Sequence, residues 1–352
     1  MRLPPTPVRR VVGPLLLAAG WLLCLVTLPV LAALAAVASL RLPGHWRGLR
    51  LLGFALVGLS VELVALVVAA ALWVASGFGA RLRSPRYQAL HYGLLRRLLR
   101  VLVRTGQRLF ALRMETDEVS WSPLDDGLPG SSNAMIVLSR HAGPGDSLLL
   151  LDTLMNRDHR RRPRTVLLHT LALDPVADVL FHRLPSRFVD PHPGDDEPVE
   201  AGIAELAGEL GDDDALVIFP EGGNYTPHRR RRAIDRLRRR GHESYADRAE
   251  EMAHVLPPRP GGVLAAIEAA PHADLVLVAH TGLEHITGAR SAWRVLHEHK
   301  TLHLRWWFHA ASTLPAGREA RIAWLFDRWT EIDAWIAEQE GLEQPQRNGT
   351  KR

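Results

Sequence analysis

Residues 11–40 carry no charged side chain, and residues 51–80 carry one, Glu62. No other feature of the sequence restricts the fold as much. An apolar run of roughly 20 residues is enough for a helix to cross a bilayer. Two such runs, joined by a short connection that holds Arg41, Arg47 and Arg50, read as a helical hairpin. The first run is too long for the core of a secretory signal, although Ala36-Val37-Ala38 looks like a cleavage site, and a second run follows it. Pro14, Pro29 and several glycines leave two geometries open, a full crossing or a dip into one leaflet. An acid at membrane depth faces a partner helix rather than lipid, and that is the expectation for Glu62.

Arginines flank the hairpin. Arg2, Arg9 and Arg10 precede it; Arg81, Arg83, Arg86, Arg96, Arg97, Arg100, Arg104, Arg108 and Arg113 follow it. Such an excess marks the cytoplasmic side, so the main domain is expected in the cytoplasm, at the inner membrane of the cell. The formal net charge of +5 rests almost wholly on arginine, because the only lysines are Lys300 and Lys351. A basic chain beside a membrane suits anionic headgroups. Nucleic acid is the rival partner. The one cysteine, Cys24, excludes a disulfide framework or a cysteine-based metal site within the chain.

The sequence divides into four parts. Residues 1–80 are the membrane hairpin, with helices expected over 11–40 and 51–80. Residues 81–114 are a basic amphipathic helix, with Leu90, Leu94, Leu98, Val101, Leu102 and Leu109 largely on one face. It either lies in the membrane interface or packs on the domain. A polar loop follows, and residues 130–340 form the main domain. Residues 341–352 are expected to be a disordered tail, polar from Gln344 onward. Within the main domain, strands are predicted at 134–139, 164–171, 186–190, 215–219, 274–281 and 302–312. Helices are predicted at 147–157, 174–183, 198–210, 230–254, 261–270 and 317–340. This alternation predicts an α/β fold with a mixed, largely parallel central sheet flanked by helices and preceded by the hairpin.

Chemistry concentrates in Ser139-Arg140-His141-Ala142-Gly143-Pro144-Gly145-Asp146. Gly143, Pro144 and Gly145 force a tight turn between a buried strand and a helix. His141 and Asp146 are therefore held on one loop. A carboxylate that fixes one imidazole nitrogen leaves the other free to take a proton from a hydroxyl as it attacks a carbonyl. Asp146 also suits the N-cap of the helix behind it, and His141 could be an ordinary loop histidine. A second motif, Val217-Ile218-Phe219-Pro220-Glu221-Gly222-Gly223, follows about 75 residues on. It places Glu221 at the C-terminal end of a strand, where open α/β sheets bind ligands.

Together the two motifs resemble the glycerolipid acyltransferase family, which includes the lysophosphatidic acid and other lysophospholipid acyltransferases. That family carries a histidine and an aspartate separated by four residues, then Phe-Pro-Glu-Gly. The resemblance implies an acyl transfer from acyl-CoA or acyl carrier protein to a lysophospholipid hydroxyl, with no cofactor and no metal. It assigns catalysis to His141 and Asp146. It assigns acceptor contacts to Glu221, Gly222 and the positions after them, here Gly223 and Asn224. The commonest family form has Thr and Arg there, and that arginine is thought to hold the acceptor phosphate. Its absence leaves the phosphate contact open. His228 and Arg229–Arg232, with Arg236, Arg238, Arg239 and Arg240, could replace it, Arg229 first, since arginine clamps phosphate bidentately. The cluster could also hold the phosphates of CoA or the membrane surface. No aromatics interleave with it, which argues against single-stranded nucleic acid.

Two further stretches resemble parts of the family. Arg187-Phe188-Val189-Asp190-Pro191 stands where a middle block ends, with its arginine displaced. Val255-Leu256-Pro257-Pro258-Arg259 is similar to a stretch of the lysocardiolipin acyltransferase-like subgroup and makes Arg259 a substrate contact. The histidines at 280, 285, 297, 299, 303 and 309 show no recognised metal-ligand spacing with an acid.

Overall fold

The computed structural model describes residues 3–41, 46–116, 134–143, 145–156, 161–189, 199–282 and 301–349. In chain order the elements are α1 (Thr6–Arg41), α2 (Arg47–Ala75), α3 (Pro85–Phe110), β1 (Arg113–Thr116), β2 (Met135–Ser139), α4 (Asp146–Asn156), β3 (Arg162–Leu168), α5 (Pro175–Phe181), β4 (Ser186–Val189), α6 (Val199–Gly208) and β5 (Asp214–Ile218). Then come α7 (Pro227–Arg239), α8 (Glu243–Glu251), α9 (Pro260–Ala269), β6 (Asp274–Thr281), β7 (Thr301–His309) and α10 (Arg318–Gly349). The fold is α/β, with strands in a mixed, mostly parallel arrangement flanked by helices. Two compact units divide it: residues 1–113, 148–196 and 293–300 form one, and residues 114–147, 197–292 and 301–352 the other.

The first unit holds the apolar helices. The apolar window of α1 is 0% buried, so α1 is no core helix of the fold. It packs along α2, with Trp21 Nε1 donating to Ser60 Oγ at 2.9 Å. The N-terminal end of α1 is pinned by charge. Arg9 and Arg10 reach the buried carboxylate of Asp178 on α5 at 2.9 and 3.4 Å. Antiparallel to α2 runs α3. Tyr87, near its start, donates to Ala75 O, while at its other end Phe110 meets Phe54 edge-on at 5.4 Å. The buried stripe of α3 is His91, Tyr92, Leu94, Leu95, Leu98, Leu99, Val103, Gly106 and Phe110. Leu90 and Val101, assigned to that face from the sequence, are exposed. Packing from more than one side widens and rotates the buried face beyond a single leucine row.

The second unit holds the core. β2 pairs in parallel with β5 on one side and β6 on the other; β7 runs antiparallel to β6, with β1 beside it. Strands buried on both faces read as continuous apolar runs, as β2, β5 and β6 do. α10 covers β6 with Leu325, Phe326, Trp329, Ile332 and Ile336, all at most 1% exposed and spaced for one helical face.

Three segments depart from expectation. The helix predicted at 230–254 is two helices, because Gly241 takes φ +75° after α7 and turns the chain into α8. The expected tail is helical as far as Gly349, where it continues α10. β1 lies where the end of a helix and a loop were expected.

Candidate active site

Ser139 ends β2 beside Val278 of β6, and Leu138 pairs with Ile218 of β5. The residues that leave these three strand ends therefore converge: Arg140 and His141 from β2, Phe219 to Gly222 from β5, His280 from β6. Parallel pairing alone aligns their C-terminal ends, where such sheets place reactive groups.

Asp146 begins α4 and is 2% exposed. Its Oδ2 accepts from Ala142 N at 2.8 Å, Gly143 N at 3.0 Å and His141 Nδ1 at 3.0 Å. Its Oδ1 accepts from Ser147 N at 2.7 Å. Burial alone would raise its pKa. The hydrogen bond from His141 and the nearby His280 ring outweigh it and hold the group far below the ordinary carboxylate range, so Asp146 is an anion at any working pH. An anion at Nδ1 selects the tautomer with hydrogen there and leaves Nε2 as the basic nitrogen. The His141 side chain is 19% exposed, so the ring reaches solvent. Its other boundary is the Phe219 ring, 4.5 Å away.

Glu221 was expected to touch the acceptor. It is instead 2% exposed, with Oε1 accepting from His141 N at 3.3 Å and Oε2 from Leu256 N at 3.2 Å. It ties the histidine loop to the segment before α9. Burial pushes its pKa up to about 8, against Arg140 and the two N–H groups, which lower it. Arg140 is also buried, donating to the carbonyls of His280 at 2.6 Å and His254 at 3.0 Å. Asp333 of α10 accepts from the N–H groups of Ala253 and His254 and fixes the same segment. The carbonyl of His141 accepts from Tyr225 N at 2.9 Å.

Arg259 and Arg229 reach the two glycines. Gly222 has φ +67°, and a Cβ there would lie 2.8 Å from the Arg259 guanidinium carbon. A side chain at 222 would thus be strained and would push the guanidinium away. A Cβ on Gly223 would lie 3.0 Å from Arg229 Nη1, which donates to Asn224 O at 3.1 Å. Of the residues singled out from the sequence, the structure therefore brings together His141, Asp146, Glu221, Gly222, Gly223, Asn224, Arg229 and Arg259. Arg187 stands in β4 of the other unit, and Asp190 and Pro191 lie outside the described residues.

Residues 124–280 match the family model described as Acyltransferase. Over this segment, somewhat less than half of the chain, the sequence is similar to acyltransferases. A search among curated proteins finds no match to the chain. The matched segment spans both motifs and ends at His280, whose Nε2 lies 3.5 Å from Asp146 Oδ2. His280 is 6% exposed, and its ring nitrogens make no hydrogen bond of good geometry among the described residues. In the sequence it stands out only as one of a group of histidines, with nothing that ties it to Asp146. It sits in an unbroken apolar strand, more than a hundred residues from Asp146, and only the pairing of β6 with β2 brings it close. His285, His297 and His299 lie outside the described residues, as does the start of the matched segment to residue 133.

Proposed function

We propose that this chain is a membrane-associated O-acyltransferase that moves a fatty acyl group from a thioester, acyl-CoA or acyl carrier protein, to a hydroxyl of a lysophospholipid. 1-Acylglycerol-3-phosphate or a related lysophospholipid is the acceptor, in phospholipid synthesis or remodelling. The observation that carries the reading is the Asp146–His141 pair, which leaves Nε2 basic at a partly open site. Nε2 takes the proton of the acceptor hydroxyl as its oxygen attacks the thioester carbonyl. A C–O bond forms, the tetrahedral oxyanion collapses, the C–S bond breaks, and the thiolate leaves with the proton from His141. No acyl-enzyme is needed.

The oxyanion needs donors. The N–H groups of Ala142 and Gly143 serve Asp146, and that of Gly222 closes a turn on Phe219 O. Of the glycine amides in the two loops, those of Gly145 and Gly223 remain for this role. Arg229 and Arg259, on either side of the glycine pair, take the acceptor phosphate in place of the arginine that Asn224 replaces. Arg259 follows Leu256-Pro257-Pro258, which supports a leaning to lysocardiolipin-type acceptors. Glu221 acts through His141 and does not touch substrate.

The hairpin holds the enzyme at the inner membrane, with the domain in the cytoplasm. Its apolar faces are exposed, including Leu15, Leu16, Leu22, Leu23 and Val26. α3 lies along α2 and carries Arg97, Arg104 and Arg108 on exposed positions. Arginines at bilayer depth are costly. A hairpin seated in one leaflet, with α3 at its surface, fits both facts better than a full crossing. The test is transfer of a labelled acyl group from acyl-CoA, in membranes, to a panel of lysophosphatidic acid, lysophosphatidylinositol and lysocardiolipin. Transfer to one acceptor supports the reading. Transfer to none, with acyl carrier protein also tried as donor, contradicts it.

A further inference from the structure

α7 has two sides that differ in their electrostatic partners. On one side Arg238 meets three acids, Glu243, Asp247 and Glu250, at 3.7, 3.6 and 2.8 Å. Arg230 is tied down too, donating to the carbonyls of Met252, Ala249 and Glu250. The other side is a stripe. Arg229, Arg232, Arg236, Arg239 and Arg240 follow at three- and four-residue spacing, and at about 100° per residue they share one face. Asp235, the one acid of the helix, falls to the edge of that face. The groups acting on Arg236 are Arg240, Arg239 and Arg232; those acting on Arg259 are Arg236 and Arg240. No carboxylate is among them.

Like charges at four-residue spacing weaken a helix. Of the four acids on α8, three are set against Arg238 on the other side. An anion laid along a stripe of this kind relieves that repulsion. The place of the stripe in the chain says which anion. It begins at Arg229, whose Nη1 lies against Gly223, and Arg259 lies against Gly222, next to the loop of His141. From Arg229 to Arg240 it runs for roughly 16 Å at the rise of an α-helix. A single phosphate uses one or two guanidinium groups. This row offers more than that.

We propose that Arg232, Arg236, Arg239 and Arg240 form a second anion subsite, distinct from the acceptor-phosphate contact of Arg229 and Arg259, which binds a group carrying two or more phosphates. Two sources have that chemistry: the phosphorylated adenosine end of a CoA thioester, and a lipid headgroup with two phosphates. The choice between them rests on the acyl-transfer reading; the subsite does not.

The test uses the full chain in detergent micelles, with a variant in which Arg232, Arg236, Arg239 and Arg240 are all replaced by Ser. All four lie at or near the surface, and melting shows whether the fold is kept. Affinity is measured for adenosine 3′,5′-bisphosphate, a probe that needs no turnover. The wild type is expected to bind it in a salt-sensitive manner, and the variant to bind it roughly tenfold or more weakly, the size of one or more lost charge-assisted contacts. Replacing Arg238 by Ser should leave the affinity unchanged. In turnover, a raised KM for acyl-CoA with kcat kept assigns the subsite to the donor. A raised KM for the lysophospholipid alone assigns it to a headgroup. If bisphosphate binding is lost in the variant while the wild type transfers no acyl group, the subsite stands and the acyltransferase reading fails. Equal bisphosphate affinity in wild type and variant, or binding by the stripe only to vesicles of phosphatidylglycerol and phosphatidylcholine, overturns the proposal.

Discussion

The loop of His141 and the stripe of α7 are both dense in charge, yet they are built in opposite ways. Around His141 every charged group is buried and engaged: Asp146 accepts from backbone and ring, Glu221 from two N–H groups, and Arg140 donates to two carbonyls. Along the stripe of α7 the arginines are exposed, apart from the half-buried Arg236, and lie beside one another. The first arrangement fixes one histidine in one tautomer and has no freedom left. The second is held apart by repulsion and stays open to whatever neutralises it. A buried polar network sets chemistry, because in a low dielectric each partner matters. A solvated row of cations sets attraction and leaves the chemistry alone.

This contrast predicts a gradient of effects. Asp146→Asn should be the most damaging change that keeps the shape. It removes the anion that selects the His141 tautomer, so kcat should fall by roughly 10²–10⁴-fold, the worth of general base catalysis, with KM little changed. An unchanged kcat would mean that Asp146 is only a helix cap.

Glu221→Ala should come next. It leaves the N–H groups of His141 and Leu256 buried without partners, at about 1–3 kcal/mol each, and loosens the loop. Melting temperature and kcat should fall together, while the acceptor KM stays. A change in KM alone would instead restore Glu221 as a substrate contact.

The same residue gives a pH test. Its carboxyl ordinarily titrates near 4.5 and is pushed up to about 8 in the fold. Between those values the folded chain keeps a proton that the unfolded chain has lost. Stability from this group is therefore full below the lower value and declines as pH rises through the window. Glu221→Gln should flatten the fall in melting temperature across that range, and an equal slope in both proteins would place the cause elsewhere.

His280→Phe should act more gently. It removes one of the two histidines beside Asp146 and leaves the His141 contact in place, so kcat should stay within about tenfold of the wild type, and a loss as large as that of Asp146→Asn would make His280 essential. Arg238→Ser, on the compensated side of α7, should leave both activity and melting where they were, since exposed ion pairs contribute little.

Much of this was legible in the sequence, for a local reason. β2, β5 and β6 announce themselves as apolar runs, and Gly143-Pro144-Gly145 requires the turn that puts His141 against Asp146. Interactions within one loop follow from spacing. What spacing does not give is which strands are neighbours. His280, Arg140 and Asp333 enter the site only through the pairing of β2 with β6 and the packing of α10. Glu221 was visible as a strand-end acid, but its inward turn depends on Leu256, a partner from another segment. The stripe on α7 was visible as a run of arginines. Its two-sidedness depends on the break at Gly241, which folds the acids of α8 back onto one side only.

The most direct measurement is acyl transfer by His141→Ala beside the wild type, on protein shown by melting to be folded. Loss of kcat by at least the roughly 10²-fold expected of a missing general base, with acceptor and donor still bound, is the predicted result. Full turnover without the His141 imidazole would contradict the account at its centre.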